Sequence, residues 1–325
     1  MTMVNDEFST DASAGGAPAG EHPSSESPVG RRGSRRLWQR SVLGAAVATA
    51  SLTALTFGTG PAHASTGPSY TAYVTNTGVN TVTATIPVGL DPTTVAVTPN
   101  GTTAYVTNAR SNTVSVIDTA TNTVTATLTG FNTPEAVAVG PYGQDAYVAN
   151  FGSNTVSVIS TLLNTVIATI PVGSNPVALA VTPNGQHIYV ANDSSNTVSV
   201  ISTLLSTVIA TIPVGSGPDA VAITPNSNDV YVTNGGSNTV SAIGTAADTV
   251  FKTITVGSYP FGAAVGPLGK ALYVTNSVDN TVSVILTATN TITATIHGFT
   301  DPNGVAFTPC RRSCNSPLLR ERARS

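Results

Sequence analysis

Short runs of alternating apolar and hydroxyl residues follow one another along most of the chain. In residues 134–172 the four runs are Pro134–Val139, Asp145–Asn150, Thr155–Ile159 and Thr165–Ile170. Each run places β-branched residues at every second position, which is typical of strands with one buried face. Turn residues separate the runs, as in Thr182-Pro183-Asn184-Gly185, where Pro and Gly stand where a β-turn favours them. The pattern predicts four short antiparallel strands in each unit.

The unit is repeated along the chain. The sequence Tyr-Val-(Thr/Ala)-Asn begins at six positions, which are Tyr73, Tyr105, Tyr147, Tyr189, Tyr231 and Tyr273. From the second copy onward the starts lie 42 residues apart, as in 147 − 105. A fixed period of about 40–45 residues with four strands per unit indicates the blades of a propeller. We therefore predict an all-β fold, a β-propeller of about six four-stranded blades.

Both ends of the repeat depart from this period. The first copy is ten residues short, since Tyr73 and Tyr105 are only 32 residues apart. At the other end, residues 302–309 read as a first strand with no blade after it. We expect these residues to pair beside Tyr70–Asn76, so that both termini build one composite blade and close the ring. The complete blades are then predicted at 92–129, 134–172, 176–214, 218–256 and 260–297.

The composition changes abruptly after Pro309. Residues 310–325 hold five arginines and both cysteines of the chain, Cys310 and Cys314. One interpretation is a change of reading frame that truncated a seven-bladed propeller, and the other is a genuine divergent tail. The two cysteines can pair in an oxidising compartment, but the sequence leaves that pairing open.

The beginning of the chain predicts export. Residues 1–30 are polar, Arg35-Arg36 precede a mildly apolar run at about 41–58, and Ala62-His63-Ala64 supply small residues before Ser65. This is the pattern of a secretory signal cleaved between Ala64 and Ser65, and the paired arginines resemble the twin-arginine class. The alternative is an uncleaved membrane anchor. We therefore expect a leader at 1–64, a propeller at 65–309, a tail at 310–325, and a secreted or wall-associated protein.

Three recurring motifs carry a family resemblance. Tyr-Val-Thr-Asn, Ser-Asn-Thr-Val-Ser-Val-Ile and Pro-x-x-Val-Ala-Val-Thr-Pro-Asn-Gly resemble the YVTN family of β-propeller repeats, over residues 70–309. The resemblance implies a protein of the surface-layer-like and other exported bacterial and archaeal class. Lactonases and quinoprotein dehydrogenases are neighbouring propeller families, but a shared fold does not transfer their activities.

The predicted propeller carries little charge. Between Ser65 and Pro309 the only basic residues are Arg110, Lys252 and Lys270, against ten acidic ones. Unaided nucleic-acid binding requires a basic face, so that class of function is excluded. We expect a monomer with no membrane span after signal cleavage.

Comparison of the repeats separates framework positions from functional ones. The Asn that ends each Tyr-Val-(Thr/Ala)-Asn and the Asn of each Asn-Thr-Val recur, so we predict that they hold the blade together by hydrogen bonds to turn backbone. The variable positions fall mostly in loops on one side, together with Asp91, Phe131, Phe299 and Asp301. The binding-face candidates there are Arg110, Glu135, Phe151, Asp193, Asp219, Tyr259, Phe261, Asp279 and His297.

Candidate chemistry is sparse at these positions. Glu135 and Asp219 follow equivalent prolines two blades apart, so they could share a cation at the channel mouth, although solvated loop carboxylates are the alternative. His187 and His297 are predicted on opposite faces, which argues against a histidine metal cluster. We expect no cofactor.

Three functions remain open. The first is an exported, non-catalytic propeller that binds a protein, glycan or small ligand. The alternative is a lactonase-like or related hydrolase that uses carboxylates and a divalent ion at the channel mouth. The third is a truncated relic with an exposed blade edge.

Overall fold

The computed structural model describes residues 84–307 and three two-residue strands, Thr2–Met3, Ser51–Leu52 and Tyr73–Val74. Most of the predicted leader, the cleavage position between Ala64 and Ser65, and the tail with its two cysteines lie outside the described residues. The three-part division of the chain therefore stays a prediction.

Twenty strands form five sheets, which we call blades 1–5. Blade 1 contains β1 (Pro92–Val97), β2 (Thr103–Asn108), β3 (Thr113–Asp118) and β4 (Thr123–Leu128). Blade 2 contains β5 (Pro134–Val139), β6 (Asp145–Asn150), β7 (Thr155–Ser160) and β8 (Thr165–Pro171). Blade 3 contains β9 (Pro176–Val181), β10 (His187–Asn192), β11 (Thr197–Ser202) and β12 (Thr207–Pro213). Blade 4 contains β13 (Pro218–Ile223), β14 (Asp229–Asn234), β15 (Thr239–Gly244) and β16 (Thr249–Thr255). Blade 5 contains β17 (Pro260–Val265), β18 (Ala271–Asn276), β19 (Thr281–Leu286) and β20 (Thr291–Ile296), and the strand Val305–Ala306 follows as β21.

Each blade is an antiparallel sheet whose strands lie in sequence order. The first strands of successive blades lie beside one another, whereas the fourth strands are separated more widely. The first strands therefore line the centre and the fourth strands form the outer rim, as in a propeller. The predicted all-β propeller and its five complete blades are confirmed. None of the described residues belongs to a helix that could cross a membrane.

The apolar core lies between neighbouring blades. Val156 and Val158 of blade 2 pack in one cluster with Ile188 and Val190 of blade 3. The second and third strands of blades 1–4 are buried along nearly their whole length, while the fourth strands alternate toward solvent. Each blade therefore covers the apolar face of its neighbour, and the core is distributed around the molecule.

The ends of the described region differ from the expected composite blade. β21 pairs in parallel with Thr2–Met3 and lies beside β17, and Tyr73–Val74 pairs with Ser51–Leu52. The expected pairing of residues 302–309 with Tyr70–Asn76 is not among the pairings of the described residues, so ring closure stays a prediction. Phe307 instead covers Tyr273 edge to face, with ring centroids 5.0 Å apart.

The framework role predicted for the recurring Asn of Tyr-Val-(Thr/Ala)-Asn is confirmed, although its partners differ from those expected. In blade 3 the Asn192 Nδ2 group donates to Thr197 Oγ1 at 3.2 Å and to Ser199 Oγ at 3.0 Å. The expectation was a bond to turn backbone, but the side chain instead joins the second strand to hydroxyls of the third. The same pair of bonds occurs in all five blades.

The Asn of each Asn-Thr-Val hydrogen-bonds to the segment that connects its own blade to the next blade. Asn112 Oδ1 accepts a hydrogen bond from Thr133 N at 2.7 Å, and Asn154, Asn196, Asn238 and Asn280 make the equivalent bond. All five adopt a positive φ between 54° and 59°. Asn tolerates this region better than most residues, which explains why it recurs there.

The tyrosine of the repeat links blades through its hydroxyl group. Tyr105 donates to Asn164 Oδ1 at 2.8 Å, and Tyr189 donates to Asp248 Oδ1 at 2.6 Å. In both cases the acceptor lies in the turn between the third and fourth strands of the following blade. Burial and then this bond raise the pKa of Tyr189, so the phenol stays protonated and keeps donating.

Candidate functional site

Two kinds of loop meet on one side of the propeller, which we call the mouth face. They are the loops between second and third strands and the connections between blades. In blade 2 the amide of Phe151 donates to the carbonyl of Thr133 at 3.0 Å, and in blade 3 that of Asp193 donates to Asn175 at 3.0 Å. Blades 1, 4 and 5 make the same contact. These two kinds of loop therefore emerge on the same side of the propeller.

A β-bulge lies at the start of the first strand of every blade, at the mouth face. The pairing of β5 with β6 shifts between Pro134 and Ala136, which leaves Glu135 as the extra residue. The same shift leaves Val177 and Asp219 as extra residues in blades 3 and 4, and wider irregularities follow Pro92 and Pro260. A bulge turns a side chain out of the regular alternation of the strand. The bulge positions are Thr93, Glu135, Val177, Asp219 and Phe261, and each is half-buried.

A second position lies against the bulge, directly after Tyr-Val-(Thr/Ala)-Asn. In blade 4 this residue is Gly235, and a Cβ atom there would collide with the carboxylate of Asp219. The same Cβ would lie 3.5 Å from the carbonyl oxygen of Pro260 in blade 5. This second position therefore sits between the bulge of its own blade and the next blade. Its occupants are Ala109, Phe151, Asp193, Gly235 and Ser277.

Five of the predicted binding residues occupy these two positions. Glu135, Asp219 and Phe261 are at bulges, while Phe151 and Asp193 are at the adjoining position. Asp193 is 5% exposed, and the other four are half-buried. The mouth face therefore combines three carboxylates with two phenyl rings near the innermost strands.

The other candidates lie elsewhere on the mouth face. Tyr259 precedes Pro260 in the connection to blade 5, with φ at 53°, and its carbonyl accepts from Ser277 N at 3.1 Å. Arg110 is exposed in the loop after β2, and His297 is exposed immediately after the outer strand β20. These two side chains belong to the loops rather than to the bulge positions.

Asp279 has a structural contact. Its Oδ2 atom accepts from Ser258 N at 2.7 Å, and this bond lowers the pKa of the Asp279 carboxyl. In blades 3 and 4 the equivalent acceptors are the hydroxyls of Ser195 and Ser237. Asp279 therefore does what a serine does elsewhere in the repeat, and it holds the connection before blade 5.

Phe131 was expected on the mouth face, but it packs into the core. It is 7% exposed and lies in a cluster with Tyr105, Val116 and Val137. Its connection reads Thr-Gly-Phe where three other connections read Pro-Val-Gly, and Gly130 adopts a φ of 94°. The phenyl ring thus replaces the valine that other connections bury, such as Val172.

Threonines of the second strands also shape the site, and the sequence analysis missed them. Thr233 Oγ1 accepts from the amide of Ala220, next to the bulge at Asp219, at 2.9 Å. Thr275 Oγ1 accepts from the amide of Gly262 beside Phe261 at 2.8 Å, and Thr107 Oγ1 from Thr94 N at 3.1 Å. The available signal was the variation between Thr and Ala at the third position of the repeat motif.

The described residues do not provide the ligand set of a metal centre. Within residues 84–307, no three His, Cys, Asp or Glu side chains are grouped so that they could hold an ion. Calcium and magnesium usually take six or more oxygen ligands. Glu135 and Asp219 alone do not meet that requirement, so the function proposed below does not involve a divalent ion.

Comparison with known proteins supports the fold. A family model described as Lactonase, 7-bladed beta-propeller matches residues 58–207. Among solved structures, one described as Kuenenia stuttgartiensis Hydrazine Synthase has a TM-score of 0.51 and 20% sequence identity, and the match covers 67% of this chain and 90% of that chain. At this identity the likeness concerns the fold alone. No curated protein sequence matches the chain.

These findings agree with the five observed sheets. The finer resemblance to YVTN repeats stays a prediction, because neither comparison tests it. The chain is therefore a β-propeller protein, and its matched segment is similar to the seven-bladed lactonase propellers.

Proposed function

We propose that the protein is an exported propeller that binds a ligand at the channel mouth without transforming it. The ligand is a glycan, a small molecule or a protein segment that offers hydroxyl or amino donors to the carboxylates and a flat apolar face to the phenyl rings. Glu135, Asp219 and Phe261 contact it from the bulges, and Phe151 and Asp193 contact it from the adjoining position.

The observation that supports this proposal is the contrast between framework and bulge positions. The Asn and hydroxyl bonds are repeated in every blade, whereas the bulge positions hold Thr, Glu, Val, Asp and Phe in turn. A purely structural repeat does not need a different side chain at the centre of each blade. A ligand that touches several blades at once does need such differences, because each blade then faces a different part of it.

Ligand screening tests the proposal. The full chain is titrated calorimetrically with a panel of soluble saccharides and amines, and each hit is repeated with Glu135→Gln, Asp219→Asn and Phe261→Ala. We expect each change to weaken binding at least about tenfold, since each removes a charged hydrogen bond or a stacked ring. Gly235→Ala should also weaken binding, because its methyl group displaces the Asp219 carboxylate without removing the charge.

The matched control is Asp145→Asn. Asp145 lies at the start of β6, at the opposite end of the blade from the bulges, so binding should be unchanged. A hit whose affinity is the same in all four mouth variants would overturn the proposed site.

A lactonase-like hydrolase is the second candidate, favoured by the family model that matches residues 58–207. Its test is lactone opening, followed as acid release in weakly buffered solution. A rate above that of buffer that is lost in Glu135→Gln or Asp219→Asn, and kept in Asp145→Asn, would replace the binding proposal with this one. If lactone opening is no faster than in buffer alone, the hydrolase hypothesis is excluded.

Export is the remaining part of the proposal. It is supported by Arg35-Arg36, the apolar run after them and the small residues before Ser65. Replacing both arginines by lysine is expected to keep the protein inside a host that has the twin-arginine route, whereas the parent chain leaves with Ser65 as its new first residue. Fractionation and N-terminal sequencing measure both outcomes. Equal export of parent and variant would exclude the twin-arginine route.

A further inference from the structure

The side opposite the mouth face is formed by the remaining turns, and we call it the turn face. It carries the turns between first and second strands and those between third and fourth strands. These turns contact one another, since Thr161 Oγ1 donates to Gly143 O at 2.6 Å and Thr203 Oγ1 donates to Gly185 O at 2.7 Å. The two kinds of turn therefore contact each other within each of these blades, and Tyr142 of blade 2 bonds to Asn184 of blade 3 between them.

Four leucines project from the turn face. They form two Leu-Leu pairs at the tips of the turns between the third and fourth strands of blades 2 and 3. Leu162 is 88% exposed and Leu163 is 66% exposed, while Leu204 is 90% exposed and Leu205 is 64% exposed. Scattered exposed leucines are common, but here two pairs occupy the same position of adjacent blades, and we call these four side chains the patch.

The fold does not require leucine at these tips. The equivalent turns hold Ala120-Thr121 in blade 1, Ala246-Ala247 in blade 4 and Ala288-Thr289 in blade 5. Those turns join the same strands in the same way, since the third and fourth strands pair in every blade with the same irregularity. The leucines therefore add apolar surface that the propeller itself does not use.

The turns and outer strands that carry the leucines contain no charged residue. Residues 160–171 and 202–213 contain no Asp, Glu, Lys or Arg. Asp145 and His187 flank these two turns, since they pair opposite Ser160 and Ser202. Asp248 of blade 4 also lies on this face, where its carboxylate accepts from Tyr189 of blade 3. Burial raises the pKa of the Asp145 carboxyl. The leucine tips themselves therefore offer a partner apolar surface and no charge.

The shape of the patch favours a lipid surface over a protein. Side chains exposed to about nine-tenths protrude from the turns, so a protein partner would need two deep pockets at a matching distance, whereas a bilayer deforms around protruding tips. Tyr142 adds an amphipathic ring on the same face. It is 73% exposed, and its hydroxyl donates to Asn184 O at 3.2 Å across blades 2 and 3. Tyrosine is enriched where a protein meets the lipid headgroups.

We infer that the turn face of blades 2 and 3 binds peripherally to an electrically neutral lipid surface, with Leu162, Leu163, Leu204 and Leu205 inserted among the headgroups. The mouth face then points away from the lipid and stays open to solutes. The inference does not depend on the ligand proposed for the mouth, because it concerns the opposite side of the propeller.

Vesicle sedimentation provides the first test. The full chain is mixed with phosphatidylcholine vesicles at low and high salt and compared with the variant Leu162→Ala, Leu163→Thr, Leu204→Ala, Leu205→Thr, which reproduces the Ala-Thr tips of blades 1 and 5. We expect the variant to lose about tenfold or more in vesicle affinity and to melt like the parent. The difference in affinity between parent and variant should not grow with added phosphatidylglycerol, since the tips carry no basic residue.

Two matched controls distinguish vesicle binding through the patch from non-specific hydrophobic binding. Leu90→Ala with Val278→Ala removes apolar side chains that are 64% and 63% exposed, but on the mouth face, and should leave vesicle binding unchanged. The apolar segment 41–58 could also bind lipid, so a local reporter is needed. Trp38 is the only tryptophan of the sequence. In a Trp38→Phe background, Leu163→Trp should shift its emission to the blue with vesicles, and Leu90→Trp should not.

Several outcomes would overturn the inference. One is failure of the full chain to bind phosphatidylcholine vesicles, and another is equal binding by the four-substitution variant without an emission shift at Leu163→Trp. A third is concentration-dependent self-association that the same variant abolishes, with no vesicle binding. That result would assign the patch to a second copy of the chain and would also contradict the expected monomer.

Discussion

Replacing Tyr231 with alanine is expected to destabilise the propeller by about 3–5 kcal/mol, as for other buried aromatic residues. The side chain is fully buried in a cluster that joins Ala242 of blade 4 to Leu272 and Ile285 of blade 5. The alanine would leave a cavity between two blades and would also release the acceptor in the next blade, Asn290 Oδ1, which lies 2.8 Å from the tyrosine hydroxyl. Denaturant unfolding of the full chain measures the change through the shift of the midpoint.

The matched variant Tyr231→Phe separates the ring from its hydroxyl. It keeps the packing and removes only the bond to Asn290, so we expect a loss of about 0.5–1.5 kcal/mol. The hydroxyl is not expected to ionise near neutral pH, since burial and the charge of Asp229 raise the pKa of Tyr231 to about 12. Equal midpoints for the alanine and phenylalanine variants would show that the ring does not stabilise the contact between the blades.

Replacing Asn192 with alanine is expected to destabilise the protein by about 2–3 kcal/mol. Its side chain is fully buried and donates to Thr197 and Ser199, and both hydroxyls would lose this partner. Gly173 lies against the amide so closely that a Cβ atom there would be 2.7 Å from Asn192 Cγ. The connection before blade 3 is therefore packed on this side chain, and the loss should appear both in thermal melting and in faster proteolysis of that connection.

The variant Asn192→Asp is expected to change in stability with pH in a defined direction. The variant buries a carboxyl group, and burial raises its pKa in the folded state above the unfolded value of about 3.9. The folded variant then binds a proton more tightly than the unfolded chain, so its stability relative to the parent rises as the pH falls through the folded pKa. The difference in melting temperature between the variant and the parent should become smaller as the pH is lowered from about 7 to about 4. A difference in melting temperature that does not change with pH would contradict the burial of this position.

The two faces of the propeller differ in chemistry for a structural reason. At the mouth face the bulges place Glu135 and Asp219 near the innermost strands. On the turn face the tips of blades 2 and 3 carry leucine where the other blades carry small residues. Strands that run back and forth through each blade send alternate turns to opposite sides, so one repeat can supply two surfaces without change to its core.

The local structure and the repeat could be predicted from the amino-acid sequence alone. Strands, turns and blade boundaries follow from alternation and from residues such as Asn184 and Gly185, because these properties depend on neighbours within a few positions. The framework role of the recurring Asn also followed, since six copies in one chain allow an internal comparison.

The contacts of those residues depend on how the strands and blades pack in three dimensions. Asn192 was expected to bind turn backbone, but it meets hydroxyls of the adjacent strand, because antiparallel pairing sets Asn192 opposite Thr197. Phe131 was expected at the mouth, but it fills the space between blades 1 and 2. The bulges that present Glu135 and Asp219 were also invisible in the pattern. Such features depend on how two strands or two blades fit together, which is a property of residues far apart in the sequence.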